Sequence, residues 1–454
     1  MDAREGLIRL ADYPFAVVSW VGQDGYPVNV AVEAEVKPDE GTARFAEPAG
    51  LRVPRGSTVG LTGSHIKPQP GGYGERRHVT AWGEVTPEPD GKLLFRATRA
   101  WGWDEREVPF PEYTERAVGQ SRRYFQALSA ERGKPVGPRL ALGLLALRAT
   151  RAPFLSATFV PVLLGIAVAA RAGVFDLATA LITVAAASAV HLGLNVTNDV
   201  FDTVQGADDA NVTPTKFSGG SRVLQYGLVR MRSMALLAIG CYGVAAALGL
   251  VLLAMRGSVA LVVIAAIGFI ISVTYTMPPF KLVYRGLGEP ATAIGFGPVM
   301  LLGAYAVQTR GSLSWEAFVA SIPVALLVML ILYVNEIPDR AGDAKAGKRT
   351  LPVRWSEVAV IRGWDMAAAA TFLVVVGGVA VGLLPVPTLL ALLAIPLARR
   401  VHGGLIRFYD NPYALMASMG ANIQLHMTVG VLLFVGYLTA IASQSWLSIH
   451  AYLW

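Results

Sequence analysis

Cysteine is almost missing from this chain: one residue, Cys241, sits inside an apolar segment, which excludes a disulfide framework and a thiolate metal site. Charge is sparse as well, at 16% of residues against 54% hydrophobic, and the mean hydropathy of +0.48 is too high for a soluble protein of this length. Residues 1–13 carry charges and lack an apolar stretch, so no cleaved secretory leader is expected. No apolar run of about twenty residues occurs before Pro153. From there on such runs recur, each long enough to cross a bilayer core of about 30 Å. The composition changes character once, and that change divides the chain.

Residues 1–128 read as a soluble, mostly β domain. Phe15–Val21 is a strand of the buried type, and Asp24-Gly25 supplies a hairpin turn. The next strand alternates, with Val28, Val30, Val32, Ala34 and Val36 on one face. Further strands are expected over Thr42–Ala46, Ser57–Leu61, Val79–Val85 and Leu93–Ala97, and a polar helix over Pro111–Leu128. Short strands closed by one helix suggest a small barrel. Residues 129–150 read as a linker ending in a Leu/Ala-rich stretch, with Arg148 in the membrane interface.

Beyond it, residues 151–454 read as an all-α polytopic domain of about nine spans, centred on 153–172, 176–197, 233–254, 257–275, 289–308, 315–335, 364–382, 384–398 and 425–443. Lys and Arg concentrate in the loops after spans two, four, six and eight. By the positive-inside rule these loops are cytoplasmic, in a cell inner or plasma membrane. That placement accounts for the net charge of +7 without invoking nucleic acid.

Two polar stretches end apolar runs on that same side. In the first, His191, Asn195, Asn198, Asp199 and Asp202 share one helical face. In the second, Asn335, Asp339 and Asp343 follow at intervals of four with Glu336 alongside, and Pro338 is expected to kink or interrupt the helix. Charges buried near a bilayer cost about 2.5–3.5 kcal/mol each, so two such acidic combs imply a use. Facing each other they make a site for Mg2+, a hard cation that leaves room for substrate oxygens. His191 reads as a hydrogen-bonded packing residue, since this cation disfavours nitrogen. Lys216, Arg222, Lys281, Arg285 and Lys348 converge from the same side as a clamp for a diphosphate. A cation-coupled transporter would set its charges at mid-membrane in broken helices, which this pattern does not.

The stretches Asn198-Asp199-x-x-Asp202-x-x-x-Gly206-x-Asp208, Tyr275–Glu289 and Asn335-x-x-x-Asp339-x-x-x-Asp343-x-x-x-Gly347-Lys348-Arg349-Thr350-Leu351 resemble the UbiA superfamily of intramembrane prenyltransferases. Within it they look most like the 1,4-dihydroxy-2-naphthoate polyprenyltransferase branch of menaquinone synthesis. The resemblance implies an all-helical fold whose lipid-facing cavity houses an isoprenoid tail. It implies that Asp199, Asp202, Asp208, Asp339 and Asp343 hold Mg2+ on the diphosphate of a polyprenyl diphosphate. Asn195, Asn198 and Tyr275 would orient the ring of an aromatic acceptor or the diphosphate. Gly206, where ubiquinone-type members have a third aspartate, favours a naphthoate. Other acceptors used across the superfamily are hydroxybenzoate, homogentisate, chlorophyllide, haem and glycerol-phosphate lipids. The first 130 residues resemble the pyridoxamine-phosphate-oxidase-like split barrel, which implies FMN or a related flavin, with Lys67, Arg76 and Arg77 as candidates for its phosphate.

Overall fold

The computed structural model describes residues 1–70 and 72–451. The chain divides into two compact units, the first being Met1–Arg116 and the second beginning at Ala117.

The first unit is one antiparallel sheet of seven strands, β1 (Ala16–Val21), β2 (Pro27–Val32), β3 (Ala34–Lys37), β4 (Thr42–Ala46), β5 (Val59–Gln69), β6 (Gly72–Pro87) and β7 (Lys92–Asp104), in the order β2-β1-β5-β6-β7-β4-β3. Its core is the inner face at every second position: Ala16, Val18 and Trp20, then Val59 and Leu61, then Val79, Ala81 and Val85. Helix α1 (Ala3–Leu10) covers that face with Leu7 and Leu10.

Two sequence expectations change here. β1 is buried on one face only, since Val21 is 67% exposed. The alternating run from Val28 to Val36 is two strands, broken at Glu33, because β2 pairs with β1 while β3 pairs with β4 at the other edge. Alternation survives such a break and so hides it. The unit ends with α2 (Phe110–Arg116), pinned by Tyr113 stacked on Trp103 at 4.4 Å. The expected single helix therefore divides at Ala117, and α3 (Val118–Arg132), which buries none of its residues, falls in the second unit.

The second unit is helical. After α4 (Leu142–Ala149) come α5 (Ser156–Arg171), α6 (Leu177–Val204), the short α7 (Ala207–Ala210), α8 (Met231–Arg256), α9 (Val259–Thr274), α10 (Gly288–Ile294), α11 (Met300–Gln308), α12 (Trp315–Lys345), α13 (Leu351–Arg354), α14 (Glu357–Ala380), α15 (Ile395–Phe408) and α16 (Pro412–Ala451). Among the described residues eight helical segments have the length and hydropathy of a membrane span, α10 and α11 counting as one across a π-helical turn at Gly295–Val299. The ninth expected span is α9, 16 residues and about 24 Å long. The chain is a multi-pass membrane protein.

Helix α12 runs unbroken through Pro323 and Pro338, so the expected interruption at Pro338 does not occur. A proline removes one N–H and leaves the ladder on either side intact, which packing of the surrounding turns preserves: Val334, Ile337 and Pro338 itself are all buried. The acidic residues of both combs consequently sit on continuous helices, α6 and α12.

Candidate functional site

The first comb occupies the end of α6. Gly206, at φ +80°, then turns the chain into α7 and a long loop, in which Gly219 and Gly220 stand consecutively at φ +77° and +72°. Two successive left-handed residues are tolerable only as glycines. The conformation aims two backbone N–H groups, those flanking Gly220, at different helices. Gly219 N–H donates to Asp339 Oδ2 at 2.9 Å, and Ser221 N–H donates to Asp199 Oδ2 at 3.1 Å. Asn211 Nδ2 donates to Asp339 Oδ1 at 2.8 Å, and its Cα lies 3.0 Å from where a Cβ on Gly342 of α12 would be. One loop thus ties both combs together.

Lys348 is the second tie. Its ammonium lies 3.3 Å from Asp202 Oδ2 and 3.7 Å from Asp343 Oδ1, with the side chain 12% exposed. Burial alone would lower its pKa, but Asp202 and Asp343 outweigh burial and hold it well above the usual lysine range. Tyr284 donates its hydroxyl to Asp202 Oδ1 at 2.9 Å, and the ammonium groups of Lys281 and Lys348 stand 5.4 and 5.7 Å from the centre of its ring. Burial also raises the Asp208 carboxyl well above the usual range, with Asp202 and Asp199 adding to the effect and Arg222 opposing it.

The expected residues therefore divide. Asp199, Asp202, Asp339, Asp343 and Lys348 are brought into one network. Among the described residues, however, no three acidic, His or Cys side chains are gathered closely enough to hold an ion by themselves. The carboxylates are turned onto Lys348, Tyr284, Asn211 and the two backbone N–H groups instead. The donor set still fits a hard divalent cation. Asp199 Oδ1 and Asp343 Oδ2 are buried with no hydrogen-bond partner. Over Gly220, the point a Cβ would fill lies 2.9 Å from Asp208 Oδ2 and 3.2 Å from Asp199 Oδ1.

Arg222 departs from the clamp role: it is buried, and its guanidinium donates to the carbonyls of Asp208 and Asn211, holding the loop. Arg285 is exposed and donates to Pro279 O at 2.9 Å, and Lys216 is exposed. Asn195 donates to Thr150 O at 3.1 Å, which fixes the start of the membrane domain to α6, and Asn198 keeps a buried, unpartnered Oδ1. His191 bonds Thr158 through Nδ1 at 2.8 Å and meets the Phe296 ring edge-on, a packing residue.

Tyr275, at the end of α9, lines a cavity of about 610 Å3 whose wall is mostly apolar and includes Leu252, Leu261, Phe269 and Phe296. Tyr275 also packs against the cluster of Ala207, Val283 and Tyr284, so the apolar cavity and the charged network share a wall. Glu289 and Glu336, both quoted in the motifs without a role, are buried with unpartnered oxygens. The ties through Tyr284, Asn211 and the Gly219–Ser221 backbone were not assigned from sequence. The Gly219-Gly220 pair was their only local signal.

In the first unit the three flavin candidates are not gathered. Arg76 and Arg77 are adjacent on β6 and point to opposite faces, Arg76 over Phe110 and Arg77 over Tyr13. Lys67 is paired with Glu75 at 2.8 Å, and Arg76 donates to Tyr73 O. These residues do not form a phosphate clamp, and no step through a flavin follows from them.

A UbiA prenyltransferase family model matches residues 158–423, more than half of the chain. The 1,4-dihydroxy-2-naphthoate octaprenyltransferase of Bacillus subtilis is 27% identical over 306 residues, covering 67% of this chain and 96% of that protein. The 2-carboxy-1,4-naphthoquinone phytyltransferase of a Synechocystis species is 27% identical, covering 64% and 92%. A UbiA homologue from Archaeoglobus fulgidus, solved with GPP and Mg2+, aligns at a TM-score of 0.43 and 13% identity over 65% of this chain and 99% of that one.

Proposed function

This chain belongs to the UbiA prenyltransferase family, and on that premise we propose that it transfers a polyprenyl group from polyprenyl diphosphate to 1,4-dihydroxy-2-naphthoate, a step of menaquinone synthesis. The observation that carries this reading is the pairing of two acidic combs, tied by Lys348 and one glycine loop, with an apolar cavity that shares their Tyr275 wall. Asp199, Asp202, Asp208, Asp339 and Asp343 are the residues that would hold Mg2+, which when bound would supply neutralising charge for the leaving diphosphate.

The chain's own groups do the rest. Lys348 and Lys281, whose ammonium groups both stand near the Tyr284 ring, are the cations that would neutralise diphosphate oxygens. The C1–O bond of the isoprenoid breaks with its electron pair leaving on the diphosphate. The cavity holds the tail and excludes the water that would capture the allylic cation. A ring carbon of the acceptor supplies the electron pair of the new C–C bond and then sheds its own substituent, a proton or, at the carboxylated carbon, CO2, the electrons of that broken bond restoring the aromatic ring. Asn198, with its unpartnered Oδ1, and Tyr275, on the cavity wall, are the groups that would orient that ring. The naphthoate choice draws support from Gly206 and from the naphthoate and naphthoquinone acceptors named for the relatives. The combs are assigned to the cytoplasmic face of the cell membrane, because Lys and Arg concentrate in the loops on that side.

The test is transfer by purified protein in detergent, with Mg2+, a long polyprenyl diphosphate and, separately, dihydroxynaphthoate, hydroxybenzoate or homogentisate. Metal-dependent prenylation of the naphthoate is expected, and loss of at least about a hundredfold in Asp339→Ala, which removes both a charge and the acceptor of two loop bonds. Prenylation of another ring alone would move the protein to a different branch. A normal rate in Asp339→Ala would overturn the site.

A further inference from the structure

The segment Arg148–Arg151, running from the last turn of α4 to the start of the first span, makes three bonds, one to α6, which carries Asp199, and two to the loop after α7. Arg148 Nε donates to Ser221 O at 2.9 Å, Asn195 Nδ2 of α6 donates to Thr150 O at 3.1 Å, and Arg151 Nη2 donates to Phe217 O at 3.4 Å. The peptide unit chain around Ser221 is thereby held from both sides. Its carbonyl takes Arg148, and its N–H goes to Asp199 Oδ2 at 3.1 Å. Arg148 is itself steadied over the Tyr226 ring, 5.0 Å from the centroid. Ala149 and Leu145 seat the segment on a cluster with Val196 of α6, Val223 and Met234. Arg151 completes it in the left-handed region, at φ +52°, a conformation an arginine adopts only where its surroundings enforce it.

We propose that Arg148 is a positioning residue for the reaction. By anchoring the Ser221 carbonyl, it restrains the residue whose N–H, one peptide plane back, bonds Asp199 Oδ2, and so limits how the first comb would present its free Oδ1 to a metal–diphosphate pair. This rests on the reading of Asp199 as a metal ligand. It predicts a defect in metal and diphosphate handling and none in acceptor recognition, although Arg148 touches neither.

The experiment measures Mn2+ binding to the full chain in detergent by electron paramagnetic resonance, with inorganic pyrophosphate present and no acceptor, so that its outcome does not depend on the acceptor being correctly identified. Arg148→Ala is expected to weaken Mn2+ binding about tenfold, the scale of one hydrogen bond from a charged donor. Arg148→Lys recovers part of the loss. Tyr226→Leu, which removes the ring beneath Arg148 and leaves the bond to Ser221, shows a smaller loss in the same direction. In turnover, KM for the polyprenyl diphosphate rises while KM for the acceptor stays within about twofold. Unchanged Mn2+ binding in an Arg148→Ala protein of normal unfolding midpoint would overturn the proposal, as would a change confined to the acceptor KM. Wild-type protein that binds Mn2+ but prenylates no naphthoate would remove the acceptor assignment and leave this inference standing.

Discussion

Replacing Lys348 by methionine isolates what the ammonium does for the two combs. It lies 3.3 and 3.7 Å from Asp202 and Asp343, almost out of solvent. With an effective dielectric constant of about 20, each pair is worth about 4–5 kcal/mol before desolvation. Desolvation of three charged groups cancels much of that. Breaking a buried pair by removing one partner typically costs about 3–5 kcal/mol, because the carboxylates stay behind unneutralised. Lys348→Met is therefore expected to lose about that much stability in a chelating buffer. Added Mg2+ restores it in part, about 2.7 kcal/mol at one hundred times the dissociation constant. Recovery is larger than in the parent protein, where the lysine competes for the same oxygens. Cys241 provides the assay: it is the single, half-buried thiol, so a thiol-reactive dye reports the unfolding midpoint in detergent. Equal midpoints for parent and variant in chelator would refute the buried-pair argument. A large loss that Mg2+ does not reduce would refute the shared site.

Three further substitutions test other parts of the chain. Gly220→Ala must place a Cβ 2.9 Å from Asp208 Oδ2 in a left-handed backbone, whereas Gly347→Ala, at φ +74°, meets nothing within 4 Å. Both carry the conformational cost of about 1 kcal/mol, but only Gly220→Ala is expected to lower the transfer rate tenfold or more. In the first unit, bonds from Arg106 hold the Asp104 carboxyl below the usual range, partly offset by burial. That stabilisation is present above the unfolded pKa of about 3.9 and is lost as pH falls through the lower folded value. Arg106 is largely exposed, so Asp104→Asn is expected to cost only about 1 kcal/mol at pH 7 and to flatten the loss of Trp103 fluorescence change on acidification below about pH 4.

The combs were legible because helical spacing is written in one dimension: Asp199 and Asp202, or Asp339 and Asp343, share a face wherever the helix is drawn. Spans were legible for the same reason, each being a local count of apolar residues. What holds the combs was not. Asp339 is met by Gly219 and Asn211, 120 and 128 residues away, and nothing in either stretch records the distance. Arg222 and Lys348 look alike in a sequence, two cations after an acidic motif, yet one spends its donors on loop carbonyls and the other on carboxylates. Pro338 does not interrupt α12, because the turn it sits in is enclosed by its neighbours, which no local rule records. Arg76 and Arg77, adjacent in the sequence, are separated in space, since successive residues of a strand point to opposite faces.

The balance of charge around Lys348 has a kinetic consequence. Among the described residues Lys348 is the one cation paired with both Asp202 and Asp343, so where these two carboxylates are ionised its single charge leaves the pair negative and unfavourable to a polyanion. A bare diphosphate entering the site would meet net negative charge in a poorly screened setting. On the proposed function, the apparent affinity for the isoprenoid diphosphate is therefore expected to depend on free divalent metal, which a titration of KM against Mg2+ reads directly. Were those aspartate oxygens turned to an ion, as proposed, Lys348 would be left with its donors open to phosphate oxygens, so that one event would both load the site and arm it.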